Sequence, residues 1–270
     1  MNATAAVELD RLAALELVEG SVGVLWLGQS SVALRLGGRT ILVDPFLSPH
    51  PERLVPPPFA AADARGVDLV LVTHDHLDHL DEVALPVLAA ASPEARVVVP
   101  TELVGRVGAM GVEREQIAGI AADGALDLGG LRIHGIPACH GEEPADAYRL
   151  GPFRGYVVAG AGVHVYHAGD TIPFAGLAER LREVGIDLAL LPINGRDAER
   201  EALGIVGNLD PAEAAELAAA IGASTMIPLH WDMFAANPGD PAALVRAAET
   251  TVIVPRRLEP FVFTTTRARP

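Results

Sequence analysis

Lysine is absent from this 270-residue chain, and all 20 of its basic residues are arginines. That removes a lysine Schiff base, a Walker-type phosphate loop and a serine–lysine dyad from its available chemistry. Alanine, glycine, arginine and proline are abundant, so the missing lysine reads as compositional. Positive charge is scarce altogether, because 35 acidic residues leave a formal net charge of −15. A phosphate backbone demands a basic face, so no nucleic-acid partner is expected. Cysteine is reduced to Cys139, which excludes an internal disulfide framework and is read as structural. Hydrophobic residues make up 50% of the chain, yet no apolar run approaches the roughly 18 residues of a membrane span. The longest runs, "VDLVLVT" and "DLALLPI", are strand-sized. The opening "MNATAAVELDRLAALELVEG" has neither a basic start nor a continuous apolar stretch. It reads as an amphipathic helix rather than a signal peptide, which makes a cytoplasmic location the expectation.

The pattern that is present alternates. "VGVLWL", "VALRL" and "RTILVD" are short strands, the last two joined by Gly37-Gly38 as a two-residue hairpin turn. "SPHPERLVPPP" is a proline-rich loop. "VDLVLVT" is a buried strand, "DEVALPVLAAA" a helix with Pro86 near its first turn, "RVVVP" a strand and "TELVGRVGAMG" a helix. "LRIHGIPA" (131–138) is a strand followed by a polar loop, and "GYVVAGAGVHVYHAGD" a hairpin turning at Gly160–Gly162. "FAGLAERLREVG" is a helix stopped by Gly185, "DLALLPI" a strand, and "NGRDAEREALGIVGN" a long polar connection. "DPAEAAELAAAIG" is the clearest helix, with Asp210 as cap, Pro211 first, Glu213 completing a capping box and Gly222 as the stop. "TMIPLH" is a strand, "DPAALVRAAET" a helix and "FVFTTT" a strand. Buried strands alternating with helices predict an α/β architecture with functional residues at strand ends. One domain over residues 1–270, built of two similar halves, is expected.

Histidine occurs nine times, yet three of the nine fall between His74 and His79, in "THDHLDH". In an extended segment His74 and His76 project the same way and can meet one metal ion. Asp78 and His79 follow as the chain turns, and can serve a second ion nearby. Imidazole with carboxylate suits zinc, manganese or iron. Five ionisable side chains beside an apolar strand would otherwise cost heavily in desolvation. His140, Asp170 and His230 each follow an apolar strand and complete a convergent set. His167, three before Asp170, is a bracing candidate. His134 and His164 lie inside strands and His50 in the proline loop, and none of these is a ligand candidate.

The residues "ILVDPFLS", "THDHLDH", His140, "HAGDT" and "PLHWDMF" resemble the metallo-β-lactamase fold superfamily. "WLGQSS", "LPINGRD", "GNLDPAEAAELA" and "PLHWDMFAANPGDP" are similar to its branch that includes L-ascorbate-6-phosphate lactonase and other metal-dependent hydrolases. The resemblance runs from about Trp26 to about Leu244. It implies a four-layer αββα sandwich of two mixed sheets flanked by helices. It implies two divalent ions, zinc or manganese first and iron as the alternative. His74, His76 and His140 would hold one, Asp78, His79 and His230 the other, with Asp170 bridging. Asp44, His167 and Thr171 would brace these ligands. The set of seven ligands is more like the general dinuclear hydrolases than the lactonase, which lacks a histidine matching His140.

The chemistry expected is hydrolysis of a small ester, lactone or phosphoester by water activated between two cations, with Asp78 and His230 as catalytic groups. No serine elbow is offered by "GQSSV". Gln29, Asn194, Arg196, Trp231 and Asp232 are candidate substrate contacts, and the loop 194–208 a candidate cover. A phosphodiesterase acting on a small cyclic phosphate or phospholipid head group is the nearest alternative. A di-iron redox protein and a non-catalytic metal-binding module stand further off. A small-molecule substrate is expected and a homo-oligomer is allowed.

Overall fold

A computed structural model describes residues 3–267, with side chains from residue 7 onward. Residues 1, 2 and 268–270, included in the one-domain expectation and, at the start, in the expected N-terminal helix, lie outside the described residues.

The chain opens with α1 (Ala3–Ala13) and then lays down β1 (Ser21–Gly28), β2 (Ser31–Leu36) and β3 (Arg39–Val43). Gly37 and Gly38 have φ of 56° and 75°, the left-handed pair a tight hairpin turn requires. β4 (Leu69–Leu71), α2 (Ala84–Ala91), β5 (Arg96–Pro100), α3 (Val104–Ala109) and β6 (Ile117–Ile120) follow. The second half begins with β7 (Ala125–Leu128), β8 (Leu131–His140), β9 (Arg149–Gly160) and β10 (Val163–His167). It continues through α4 (Leu177–Val184), β11 (Leu188–Pro192), α5 (Ala198–Ala202), α6 (Pro211–Ala220) and β12 (Thr225–Leu229). It closes with α7 (Pro241–Ala247), β13 (Thr251–Val252) and β14 (Phe261–Thr264).

Two seven-stranded sheets result, ordered β14-β1-β2-β3-β4-β5-β6 and β13-β12-β11-β10-β9-β8-β7. Each has an antiparallel stretch (β14 to β3, β7 to β10) that passes into parallel strands (β3 to β6, β10 to β13). The sheets face each other across an apolar layer that includes Val24, Trp26, Ile41 and Leu71 from one and Ile133, Tyr156, Val165 and Ile227 from the other. Successive residues of a strand point to opposite faces, so Leu25, Leu27 and Val70 pack outward against α1 and α2. Tyr166, Ala189 and Met226 pack outward against α4, α6 and α7. The layers are helix, sheet, sheet, helix, as the sequence led us to expect. Central strands are therefore buried on both faces, which is why they read as unbroken apolar runs.

Three strands escaped the sequence pattern: β6, β7 and β13. All are sheet edges of two to four residues, and half-exposed edges carry no sustained apolar signal. The polar connection 194–208 contains the short helix α5. The capping box at Asp210 and Glu213 is present as read. No helix among the described residues is long and apolar enough to cross a membrane.

Candidate metal centre

The carboxyl ends of β1, β3, β4, β8, β10 and β12 come together at one edge of the two sheets, and every candidate ligand lies just beyond or at one of them. β4 stops at Leu71, and the chain beyond it turns at His76. It turns back on itself, with the His79 and Leu80 amides both donating to the His76 carbonyl at 3.0 and 2.8 Å. His74 and His76 meet as expected, Nε2 to Nδ1 at 3.0 Å, just ahead of that turn.

β8 runs two residues further than the expected 131–138, through His140, with a register shift between Pro137 and Cys139. Such a bulge re-aims the side chains beyond it. His140 Nε2 arrives 3.3 Å from His76 Nδ1 and 3.7 Å from Asp170 Oδ2. Asp170 follows Gly169, whose φ is 61°. A Cβ there would lie 2.7 Å from the Arg154 carbonyl oxygen, so only glycine brings Asp170 this close. His230 follows β12 with φ of 59°, its amide donating to the Gln29 carbonyl at 3.2 Å.

Two groups emerge. The candidate ligand atoms of His74, His76, His140 and Asp170 all lie within 4.8 Å of one another, and so do those of Asp78, His79 and His230. Asp170 reaches both groups, 3.3 Å from His79 Nε2 and 3.3 Å from His230 Nε2. These donors could hold metal ions. The buried His79 Nε2 and Asp170 Oδ1 lie 3.3 Å apart without a well-formed hydrogen bond, and imidazole and carboxylate are both metal-ligand types.

The two groups differ electrically. Burial, reinforced by His79 and His76, holds His74 well below the ordinary histidine range. Burial likewise pushes His140 down to about 3. Burial would also lower His79, but the Asp170, Asp78 and Asp44 carboxylates outweigh it and hold that ring well above its usual value. Against the same burial, Asp170 and Asp78 raise His230 to about 9. Burial alone would raise Asp78 and Asp170, and the facing His79 and His230 hold both far below the carboxylate range instead.

The supports are built from backbone and buried polar groups. Asp44 accepts from the Thr73 amide at 2.8 Å, the Thr73 hydroxyl at 2.7 Å and His79 Nδ1 at 2.6 Å. His167 donates from Nε2 to the Ser30 carbonyl at 2.8 Å, and its Nδ1 accepts from the Gly169 amide at 3.2 Å. It thus ties the β1–β2 turn to the loop carrying Asp170 without touching a candidate ligand. Thr171 Oγ1 accepts from the Cys139 amide at 3.0 Å, fixing the end of β8 beside His140. Tyr156 on β9 donates to the Val72 carbonyl at 2.7 Å, and the Arg154 amide to the Thr73 carbonyl at 3.0 Å, so the second sheet holds the histidine turn of the first.

Sequence reasoning overlooked Asp81. This buried carboxylate accepts from the Leu47 amide at 2.9 Å, the Ser48 amide at 2.7 Å and hydroxyl at 2.6 Å, and the Ala84 amide at 2.9 Å. Its one available signal was an acid at the start of a helix.

The candidate substrate contacts separate. Gln29 lies at the centre, its Nε2 donating to Asp78 Oδ2 at 2.8 Å, and Asp232 Oδ1 accepts from the Gln29 amide at 2.8 Å. Trp231 stacks on Trp26 at 5.1 Å between ring centroids and donates to the Pro228 carbonyl, which makes it part of the packing. Arg196 is committed to a bidentate pair with Glu213, 2.6 Å on both arms, and to the Asn208 carbonyl at 2.9 Å. Asn194 bonds to Asn237 and Asn208, both at 3.0 Å, and its carbonyl accepts from Arg200. Arg196 and Asn194 therefore hold the loop 194–208 in place, and Tyr148 pins α5 through Glu201 at 2.9 Å.

Residues 39–231 match the model of a beta-lactamase superfamily domain. A UPF0173 metal-dependent hydrolase of Methanoregula boonei is 35% identical over 240 residues, covering 85% of this chain and 92% of that protein. One from Rubrobacter xylanophilus is 32% identical over 235 residues, covering 85% and 89%. Among solved structures, Igni18, a metallo hydrolase from Ignicoccus hospitalis, superposes with a TM-score of 0.73 at 25% identity, covering 91% of this chain and all of that one.

Proposed function

This chain belongs to the beta-lactamase superfamily domain family, and from that footing we propose that it is a metal-dependent hydrolase of a small ester, lactone or phosphoester, with two divalent cations side by side at the sheet edge. The observation that carries the proposal is Asp170, buried between two groups of donors and within 3.3 Å of His79 and of His230 while also in the group of His74, His76 and His140. Zinc or manganese suits this donor set. His74, His76 and His140 would hold one ion and Asp78, His79 and His230 the other, with Asp170 shared.

Cations bound there would lower the pKa of water towards neutrality and polarise the substrate oxygen. The chain's own residues supply orientation and proton handling. Asp78 is the more open carboxylate, its side chain 14% exposed against 3% for Asp170, so it is the one placed to orient an attacking water. Gln29 fixes the rotamer of Asp78 by donating to Oδ2. His230 stands across from Asp78 at 3.4 Å. Burial of the ligands lowers the local dielectric and strengthens each of these interactions.

The test is elemental analysis of gently purified protein, followed by assay on lactones, carboxylic esters and bis-p-nitrophenyl phosphate after reloading each metal. Two ions per chain and turnover on one ester class are expected. Asp170→Ala should lower ion content and reduce metal-dependent turnover at least a hundredfold. Retained turnover in that variant would overturn the assignment.

A further inference from the structure

Between the proline-rich segment after β3 and the start of α2 lies a half-open trough of about 520 Å³. That volume falls in the range of small-molecule sites. Its walls include Leu47, Pro49, Pro57, Phe59, Val83 and Val87, and Ser48 is the only polar side chain among its lining residues. No charged side chain lines it, so a charged group would find no counterpart there.

α2 has the sequence ALPVLAAA and carries no polar residue on any face. A helix apolar all round is normally covered all round. Here Leu85 and Leu88 face the core while Val87 is 44% exposed, and Val83 just before the helix is 73% exposed. Leu54 of the facing segment and Leu77, between His76 and Asp78 in the chain, are 61% and 53% exposed. Exposed apolar side chains therefore occur on the stretches of chain that lead to and from the candidate ligands.

The walls are held rigid. Arg53 donates to the Phe46, Ser48 and Val55 carbonyls, and Arg257 to that of Pro56. Asp81 fixes Leu47 and Ser48 from the other side. Asp81 is two residues beyond His79, and Leu47 three beyond Asp44, so the trough is built on the two segments that position His79. A preformed apolar concavity loses little conformational freedom on binding.

We propose that the trough binds an alkyl, acyl or aryl substituent of the substrate, so that the substrate class is an ester or lactone with an apolar tail. This rests on the hydrolase reading above. The occupant is taken to be a small molecule because the apolar surface is concave, walled on two sides and of ligand size.

The experiment uses the full chain and the uncharged fluorophore N-phenyl-1-naphthylamine. Wild type should bind it saturably, octanol should displace it, and Val83→Asp/Val87→Asp should weaken binding at least tenfold. Both positions are exposed, so the variant keeps its core. In metal-loaded protein, kcat/KM for p-nitrophenyl esters should rise at least tenfold from acetate to octanoate, and that ratio should fall towards one in the variant. Equal fluorophore binding by both proteins, or none, with turnover indifferent to chain length would overturn the trough and leave the hydrolase standing. Fluorophore binding lost in the variant, with no turnover on any ester, lactone or phosphoester, would uphold the trough as an apolar site and overturn the hydrolase and with it the assignment of the occupant as a substrate substituent. A wild-type dimer that the variant converts to monomer in sedimentation would show a second copy to be the occupant and overturn the proposal.

Discussion

At the scale of single residues, Asp44 is the support on which the histidine turn depends. It is fully buried and accepts three hydrogen bonds, two from Thr73 and one from His79. Asp44→Ala should cost about 3–5 kcal/mol in urea unfolding, as removal of one partner from a buried charged network does. An unchanged midpoint would mean the network relaxes around the loss. Protonation gives a second residue-scale expectation for chelator-treated protein. His230 titrates near 9 and His79 well above 6.5, so both hold protons at neutral pH. Their stabilising contribution is complete below about 6.5 and lost as pH rises through the folded values. His140, near 3, and His74, also lowered, act in the opposite sense, and their contribution is lost as pH falls below 6.5. Ligation requires neutral imidazole. Cation binding at pH 7 should therefore release protons, seen as a dependence of the calorimetric heat on the buffer's ionisation enthalpy. Heats independent of buffer would contradict the protonation of His79 and His230.

At the scale of elements, the helix ends matter more than the helices. Asp210 caps α6 by accepting from the Glu213 amide at 2.9 Å, and the Glu213 carboxylate reaches back to the Asp210 amide at 3.0 Å. Glu213 also holds Arg196, so one cap secures both α6 and the start of the loop 194–208. Asp210→Ala should lower stability by about 1 kcal/mol, measured by denaturant midpoint, with ion content unchanged. A loss of ions in that variant would show that the loop and the candidate centre are coupled. The cap was readable because its residues are neighbours in the chain. The destination of Arg196 was not, because its partner lies 17 residues away, across the loop.

At the scale of the whole molecule, the candidate centre draws on both sheets and so on the whole fold. Its candidate ligands come from the ends of four strands, and cross-sheet hydrogen bonds from Tyr156, Arg154 and His167 hold those ends together. Whatever binds the folded centre and not the unfolded chain stabilises by mass action. A cation at a hundredfold excess over its Kd contributes about 2.7 kcal/mol per site, which should raise Tm by roughly 5–10 °C per site in a domain of this size. Chelation should reverse the rise, and scanning calorimetry with and without chelator would show it. A Tm indifferent to zinc and to manganese would mean the donors do not hold an ion.

The sequence by itself determined the layers and named the candidate donors. Central strands buried on both faces must be continuously apolar, and a run such as His74 to His79 has no other inexpensive place in a fold. Tertiary structure decided which donors meet. It bent the histidine turn, bulged β8 so that His140 faces His76, and set Asp170 between the two groups. It also took Trp231 into the packing and Arg196 into an ion pair, and it opened a trough beside α2. Burial and hydrogen bonding between residues distant in the chain depend on how the two sheets close, and no local pattern records that.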